Sequence, residues 1–121
     1  MTAKDIGTKL IELVKAGKAH EAIETLYAPN IVSVEAAAAP GQSREVTGIA
    51  ACLQKGKQFR ERMEVHRQDA EGPFPHDDRF AVLLRYDVTP RAGGPRTQMT
   101  EVALYTVKDD KIVREEFFYS M

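Results

Sequence analysis

Glu35, His66 and Glu101 are the residues of this chain whose types and settings suit proton transfer, with Glu115 a candidate pocket acid beside them. A carboxylate or an imidazole works as an acid or base near neutral pH when its surroundings shift its pKa and hold it against a ligand. Glu101 lies in a stretch where Met99, Glu101, Ala103, Tyr105 and Val107 alternate with Thr100, Val102, Leu104 and Thr106. Its central, apolar-flanked position predicts burial, so the acid either takes up a proton or finds a cation, with Arg85 and Arg114 the nearest choices in type. Glu115 alternates with apolar and aromatic residues in the next stretch. Side by side on neighbouring strands, Glu101 and Glu115 would repel each other unless one is protonated or an arginine intervenes. Glu35 stands just before an alanine-rich segment and is either a base at a strand end or a solvated acid. His66 is a lone strand histidine, either an acid–base group or a structural residue. His20 falls on a helix surface and His76 in a proline-rich loop, and neither is favoured for chemistry.

Tyr27, Tyr86, Tyr105 and Tyr119 are candidate hydrogen-bond donors to a ligand oxygen; buried tyrosines otherwise tie their hydroxyls to backbone or water. Met63, Met99 and Phe117 are candidate pocket walls, and equally plain core. Cys52 reads as a small buried apolar group. No His, Asp or Glu spacing forms a metal site, and no cofactor is implied. Gly93-Gly94 is followed by Pro95 and a strand rather than by a helix N-terminus, so it is no phosphate loop.

Positioning these groups falls to elements that the hydrophobic pattern sets out. Ile6, Leu10, Leu13 and Val14 make one helix face, opened by Thr2 and Asp5 as a loose capping box and closed by Gly17. A second helix is predicted over 19–27, with Tyr27 on its apolar side and Pro29 stopping it. A β-branched run over 31–36 predicts a strand, and 37–47 a loop. A third helix is predicted over 48–62, then a strand over 63–70, broken by Gly72-Pro73 and Pro75. Residues 79–89 form another strand, with Phe80, Val82, Leu84, Tyr86 and Val88 on one face. Residues 96–119 read as a long hairpin around Lys108-Asp109-Asp110-Lys111.

Helices first and meander strands last predict an α+β fold, a curved antiparallel sheet wrapped around N-terminal helices to leave a cone-shaped cavity. Its outer face would carry Leu83, Val102, Leu104, Ile112 and Phe118. No remaining segment can cover that face, so the pattern predicts a homodimer through the sheet.

Composition bounds the rest. The 121 residues suit one domain, with 43% hydrophobic and 29% charged residues and a formal net charge of -1. Lacking a basic stripe, the chain is not expected to bind nucleic acid. It has no apolar run of membrane-spanning length and no secretory leader pattern, and its single cysteine fits a reducing compartment; the expectation is cytoplasmic.

The segments Leu13-Val14-Lys15-Ala16-Gly17, Leu26-Tyr27-Ala28-Pro29-Asn30 and Lys111-Ile112-Val113-Arg114-Glu115-Glu116-Phe117-Phe118-Tyr119, in this order, resemble the nuclear transport factor 2-like superfamily. Within it, the SnoaL-like and ketosteroid-isomerase-like group is most similar. The resemblance spans nearly the whole chain and implies a cystatin-like, cone-shaped α+β barrel, usually dimeric, with a pocket put to different uses in different members. It implies a proton-abstracting carboxylate at the end of the first strand, which falls on Glu35. The isomerases' oxyanion donors, a tyrosine and a protonated acid, fall near Leu10 and Ala103, where neither is present. Glu101 is one step further along that face, about 7 Å by strand rise. The polyketide-cyclase branch implies an acid–histidine pair, for which His66 is the candidate histidine. The resulting expectation is a small, largely apolar ligand bearing a carbonyl or hydroxyl. The chemistry would be proton transfer of the isomerase, cyclase or dehydratase type, and a non-catalytic binding or accessory domain is the alternative.

Overall fold

The computed structural model describes residues 1–120. Helix α1 spans Ala3–Lys15, α2 Ala19–Leu26 and α3 Ile49–Arg62. The strands are β1 Tyr27–Val34, β2 Glu45–Thr47, β3 Met63–His76, β4 Arg79–Pro90, β5 Thr97–Lys108 and β6 Lys111–Phe118. They form one curved sheet in the order β2-β1-β6-β5-β4-β3. The fold is the expected mixed α+β type, with the N-terminal helices against one face of the sheet.

Helix α1 starts with a true capping box. The Thr2 hydroxyl accepts from the Asp5 amide, and the Asp5 carboxylate accepts from the Thr2 amide. Beyond its end, Gly17 takes the left-handed backbone (φ 74°) that a side chain would resist. Ile6, Leu10 and Val14 are buried in one core with Phe80, Val82 and Leu84 of β4. Phe80, Ile6, Ile31 and Ile112 are at most 1% exposed, and each such side chain stabilises the fold by about 2–3 kcal/mol. The β5–β6 turn puts both Asp109 (φ 52°) and Asp110 (φ 63°) in the left-handed region, the twist that a tight hairpin needs.

Several elements differ from the sequence reading. Tyr27 leaves α2 and opens β1: its backbone is extended (φ −87°, ψ 142°) and it pairs with Ile112. Pro29 thus lies within a strand rather than behind a helix, and a register shift follows it. The expected loop over 37–47 ends in the short strand β2, paired with β1. Strand β3 runs through Gly72-Pro73 and Pro75 to His76: a register shift between Glu71 and Phe74 absorbs Gly72-Pro73, and Pro75 pairs in register with Phe80. The sheet is not wholly antiparallel, because β1 runs parallel to β6. Ile112, expected on the outer face, is fully buried. A bulge between Thr106 and Val107 turns it inward and puts Ile112 and Glu115 on the same side.

Candidate functional site

The register of the sheet lines up the acids. Ser33 of β1 pairs with Glu115 of β6, and Glu115 pairs with Tyr105 of β5, which in turn pairs with Phe80 of β4. The next inward row holds Phe117 and Ala103, and the row beyond it holds Glu101 opposite Leu84. Above these rows, α3 contributes Cys52, Lys55 and Phe59. Their spacing keeps all three on one helix face.

Glu115 is the buried acid, 4% exposed, beside a fully buried Ser33. Its Oε1 accepts from the Tyr27 hydroxyl, and its Oε2 from the Ser33 hydroxyl at 2.6 Å. Burial raises its pKa, against the opposing hydrogen bonds from Ser33 and Tyr27. The Lys55 ammonium donates to Ser33 Oγ at 2.7 Å and lies 2.6 Å from Glu35 Oε1. It also sits 5.2 Å from the centre of the Phe117 ring. The Tyr119 hydroxyl donates to Glu35 Oε2 at 3.0 Å. A continuous polar chain thus runs from the core to the surface through Tyr27, Glu115, Ser33, Lys55, Glu35 and Tyr119. Its outer end is open to solvent: the side chains of Lys55 and Glu35 are 24% and 30% exposed.

Glu101 stands apart from that chain. Among the described residues it has no hydrogen bond and no ion pair. Burial, and then the Glu35 charge, push its carboxyl up to about 7, with Lys55 opposing. Arg114, one of its expected partners, is bound to Glu116 at 3.0 Å instead. Arg85 is exposed. Burial, followed by the Glu101 charge, raises the Tyr86 hydroxyl. Burial, followed by the Glu115 charge, raises Tyr27 and Tyr105 well above the usual tyrosine value. Tyr119 is raised by burial and by Glu35. The Cys52 thiol, beside Ser33 and Glu115, is pushed up to about 12, chiefly by burial, and is held as a neutral group.

The structure therefore gathers Tyr27, Glu35, Glu101, Tyr105, Glu115, Phe117 and Tyr119 on one side of the sheet. Tyr86 joins them beside the α3 aromatic ring, with the Phe59 and Tyr86 centroids 5.7 Å apart. Met99 pairs with Tyr86 one row further out, and Met63 begins β3 opposite Pro90. His66 is not brought to the acids. It is exposed, with Nε2 2.7 Å from Thr89 Oγ1, and it lines a separate cleft of about 670 Å³ with Val14, Lys15, Gly17, Arg67 and Asp69. Sequence reasoning missed Ser33 and Lys55. Ser33 was findable from the alternation of Ile31, Ser33 and Glu35. Lys55 was findable as a cation on the helix face shared by Cys52 and Phe59, midway along α3. Leu10 and Ala103, near which the resemblance puts the oxyanion donors, are packed apolar residues, 3% and 0% exposed. No group of three His, Cys, Asp or Glu among the described residues is placed to hold a metal ion. No helix among them is long and apolar enough to cross a membrane.

The SnoaL-like domain model matches residues 1–119, and the chain belongs to that family. No curated protein sequence matches it. A solved structure from Mesorhizobium loti, named as a candidate SnoaL-like polyketide cyclase and, in brackets, carbohydrate phosphatase, is similar at 41% identity. The match covers 98% of this chain and 100% of that one, with a TM-score of 0.90. An NTF2-like protein from Burkholderia thailandensis shares the fold at 18% identity, covering 98% and 90% of the two chains, with a TM-score of 0.84. A protein with a ketosteroid isomerase-like fold from Catenulispora acidiphila shares it at 16% identity, covering 99% and 88%, with a TM-score of 0.77. The fold is thus the cystatin-like, NTF2-like cone.

Proposed function

We propose that this SnoaL-like domain binds a small, largely apolar ligand bearing a carbonyl or hydroxyl beside Glu101, and moves a proton next to that oxygen. The reaction would be of the isomerase, cyclase or dehydratase type. The observation that carries this reading is the half-buried Glu101, which has no hydrogen bond or ion pair among the described residues and whose carboxyl is pushed up to about 7, chiefly by burial. Glu35 and Glu115 are engaged by Lys55, Tyr119, Tyr27 and Ser33. In this reading they shape the site, Glu101 exchanges the proton, and Tyr86 donates to the ligand oxygen, the Tyr119 hydroxyl being held by Glu35. His66 takes no part. The chain works as a homodimer through the outer sheet face. Supporting that assembly, Val102 (40% exposed) pairs with Phe118 (50% exposed) and with Leu83 across β4–β6, an apolar row on the side away from the helices.

Thermal melting against neutral ketones, steroids, aromatic polyketides and fatty acids tests the ligand. A class that binds the folded state raises stability by about 2.7 kcal/mol at a hundred times its dissociation constant. The expected result is a rise with a neutral carbonyl class, followed by turnover that Glu101→Gln abolishes. A flat response across the panel refutes the reading and favours a non-catalytic accessory domain, for which the fully bonded Glu115 would be plain core structure.

A further inference from the structure

The cluster holds three carboxylates, Glu35, Glu101 and Glu115, and a single ammonium, that of Lys55. Lys55 sits between two of the acids. It touches Glu35 at 2.6 Å and Ser33 Oγ at 2.7 Å, and Ser33 passes its own hydrogen to Glu115 at 2.6 Å. A lysine that donates to a serine oxygen fixes which way the serine hydrogen points. Ser33 Oγ accepts from Lys55, so its hydrogen is directed at Glu115 Oε2. With Tyr27 donating to Oε1, both Glu115 oxygens act as acceptors, which is the bonding of a carboxylate rather than of a carboxylic acid.

We propose that Lys55 is the positioning residue that divides the roles of the three glutamates: it holds Glu35 directly and Glu115 through Ser33 as charged acceptors, leaving Glu101 as the one carboxyl free to exchange a proton with a ligand. This rests on the reading of Glu101 given above and adds a residue to it. It also bears on the ligand. The cluster's one cation is already taken by protein acids, so a bound carboxylate or phosphate would meet net negative charge. The favoured ligand is therefore neutral at the end that enters.

The charged and titratable groups facing Glu101 are Glu35 beyond β1, Lys55 on α3, Glu115 and Tyr119 on or just after β6, Tyr86 on β4 and Tyr105 on β5. Of these, Lys55 alone opposes the acids, so removing its charge acts on Glu101 in one direction.

The test is a carbon-13 NMR titration of glutamate side chains in the intact chain, with Glu101→Gln identifying the Glu101 signal. Lys55→Met keeps the stem and removes the charge. Lys55→Gln removes the charge but keeps a donor for Ser33 and Glu35. In both, the Glu101 midpoint should rise from about 7 by about one pH unit, the low end for losing a nearby opposite charge. Lys55→Arg should keep it near the parent value. An unchanged midpoint in either folded neutral variant overturns the proposal, and Lys55→Gln serves if Lys55→Met does not fold. A parent chain with no glutamate titrating near neutral pH overturns this inference and the Glu101 reading together. A flat ligand panel alongside a shifted midpoint sinks only the functional reading.

Discussion

Replacing Glu101 by glutamine should change how the stability of the protein depends on pH. The Glu101 carboxyl is raised from 4.5 to about 7, chiefly by burial, so the folded state binds that proton more tightly than the unfolded chain does. Stability therefore falls as pH rises between those two values and levels off above the higher one. The gap corresponds to about 3 kcal/mol at full effect. Glutamine keeps the shape and carries no charge. At pH 4.5 and below the variant and the parent chain should differ little. Above pH 8 the variant should be the more stable by up to about 3 kcal/mol, on the order of 10 °C in melting temperature for a chain of this size. Burial raises Glu115 too, and its contribution has the same sign, but it is common to both proteins and cancels in the difference. Calorimetric melts of the pair from pH 4.5 to 8.5 measure it. A difference that does not grow with pH refutes a proton-holding Glu101, because a merely structural effect of the substitution has no reason to track that window.

Ser33→Ala removes the donor to Glu115 Oε2 and an acceptor of Lys55, and should cost about 1–3 kcal/mol in urea unfolding; a loss within error would mean that water replaces the hydroxyl without penalty. Gly7→Ala is expected to destabilise by about 1–2 kcal/mol even though alanine is the better helix former. A Cβ there would lie 2.7 Å from Pro73 Cβ and 3.0 Å from the Phe80 ring, and a rise in melting temperature would show that α1 can move off the sheet freely. Val102→Glu on the outer face should give a monomer in analytical ultracentrifugation where the parent chain sediments as a dimer; a parent chain that is already monomeric removes the sheet-face assembly.

Periodicity made most of this architecture readable in advance, because each long element buries a regular face: Ile6, Leu10 and Val14 on α1, and Phe80, Val82, Leu84 and Val88 on β4. The misreadings fall where the period breaks. Tyr27 and Ala28 are both buried at the start of β1, and Ile112 and Glu115 share a face across an odd spacing. A bulge adds a residue without changing composition, so a strict alternation rule puts Ile112 outside. Gly72-Pro73 and Pro75 read as breakers, yet β3 tolerates them as the outermost strand of the sheet, where a missing amide need not leave a partner unbonded. The acids and tyrosines of the cluster were visible as polar groups at inward positions. Their division was not, since it depends on Lys55 crossing from α3 to β1, a contact between elements whose relative placement no local pattern records.

The parallel pairing of β1 with β6 has a consequence for how the chain is made. The last strand in chain order lies inside the sheet, between β1 and β5, and joins the β2-β1 pair to the β5-β4-β3 meander. During synthesis the meander can form alone, while β1 waits with an open edge through some 80 residues of further translation, judged from the chain positions of the two strands. Closing that loop late is a non-local step that slows folding and leaves an unpaired edge able to capture other chains. Glu115 and Tyr119 arrive only with or just after β6, so the acid cluster is completed in the same event that seals the sheet. A chain released before β6 would be two unjoined sheet fragments lacking Glu115, the acid on which the buried end of the cluster is built.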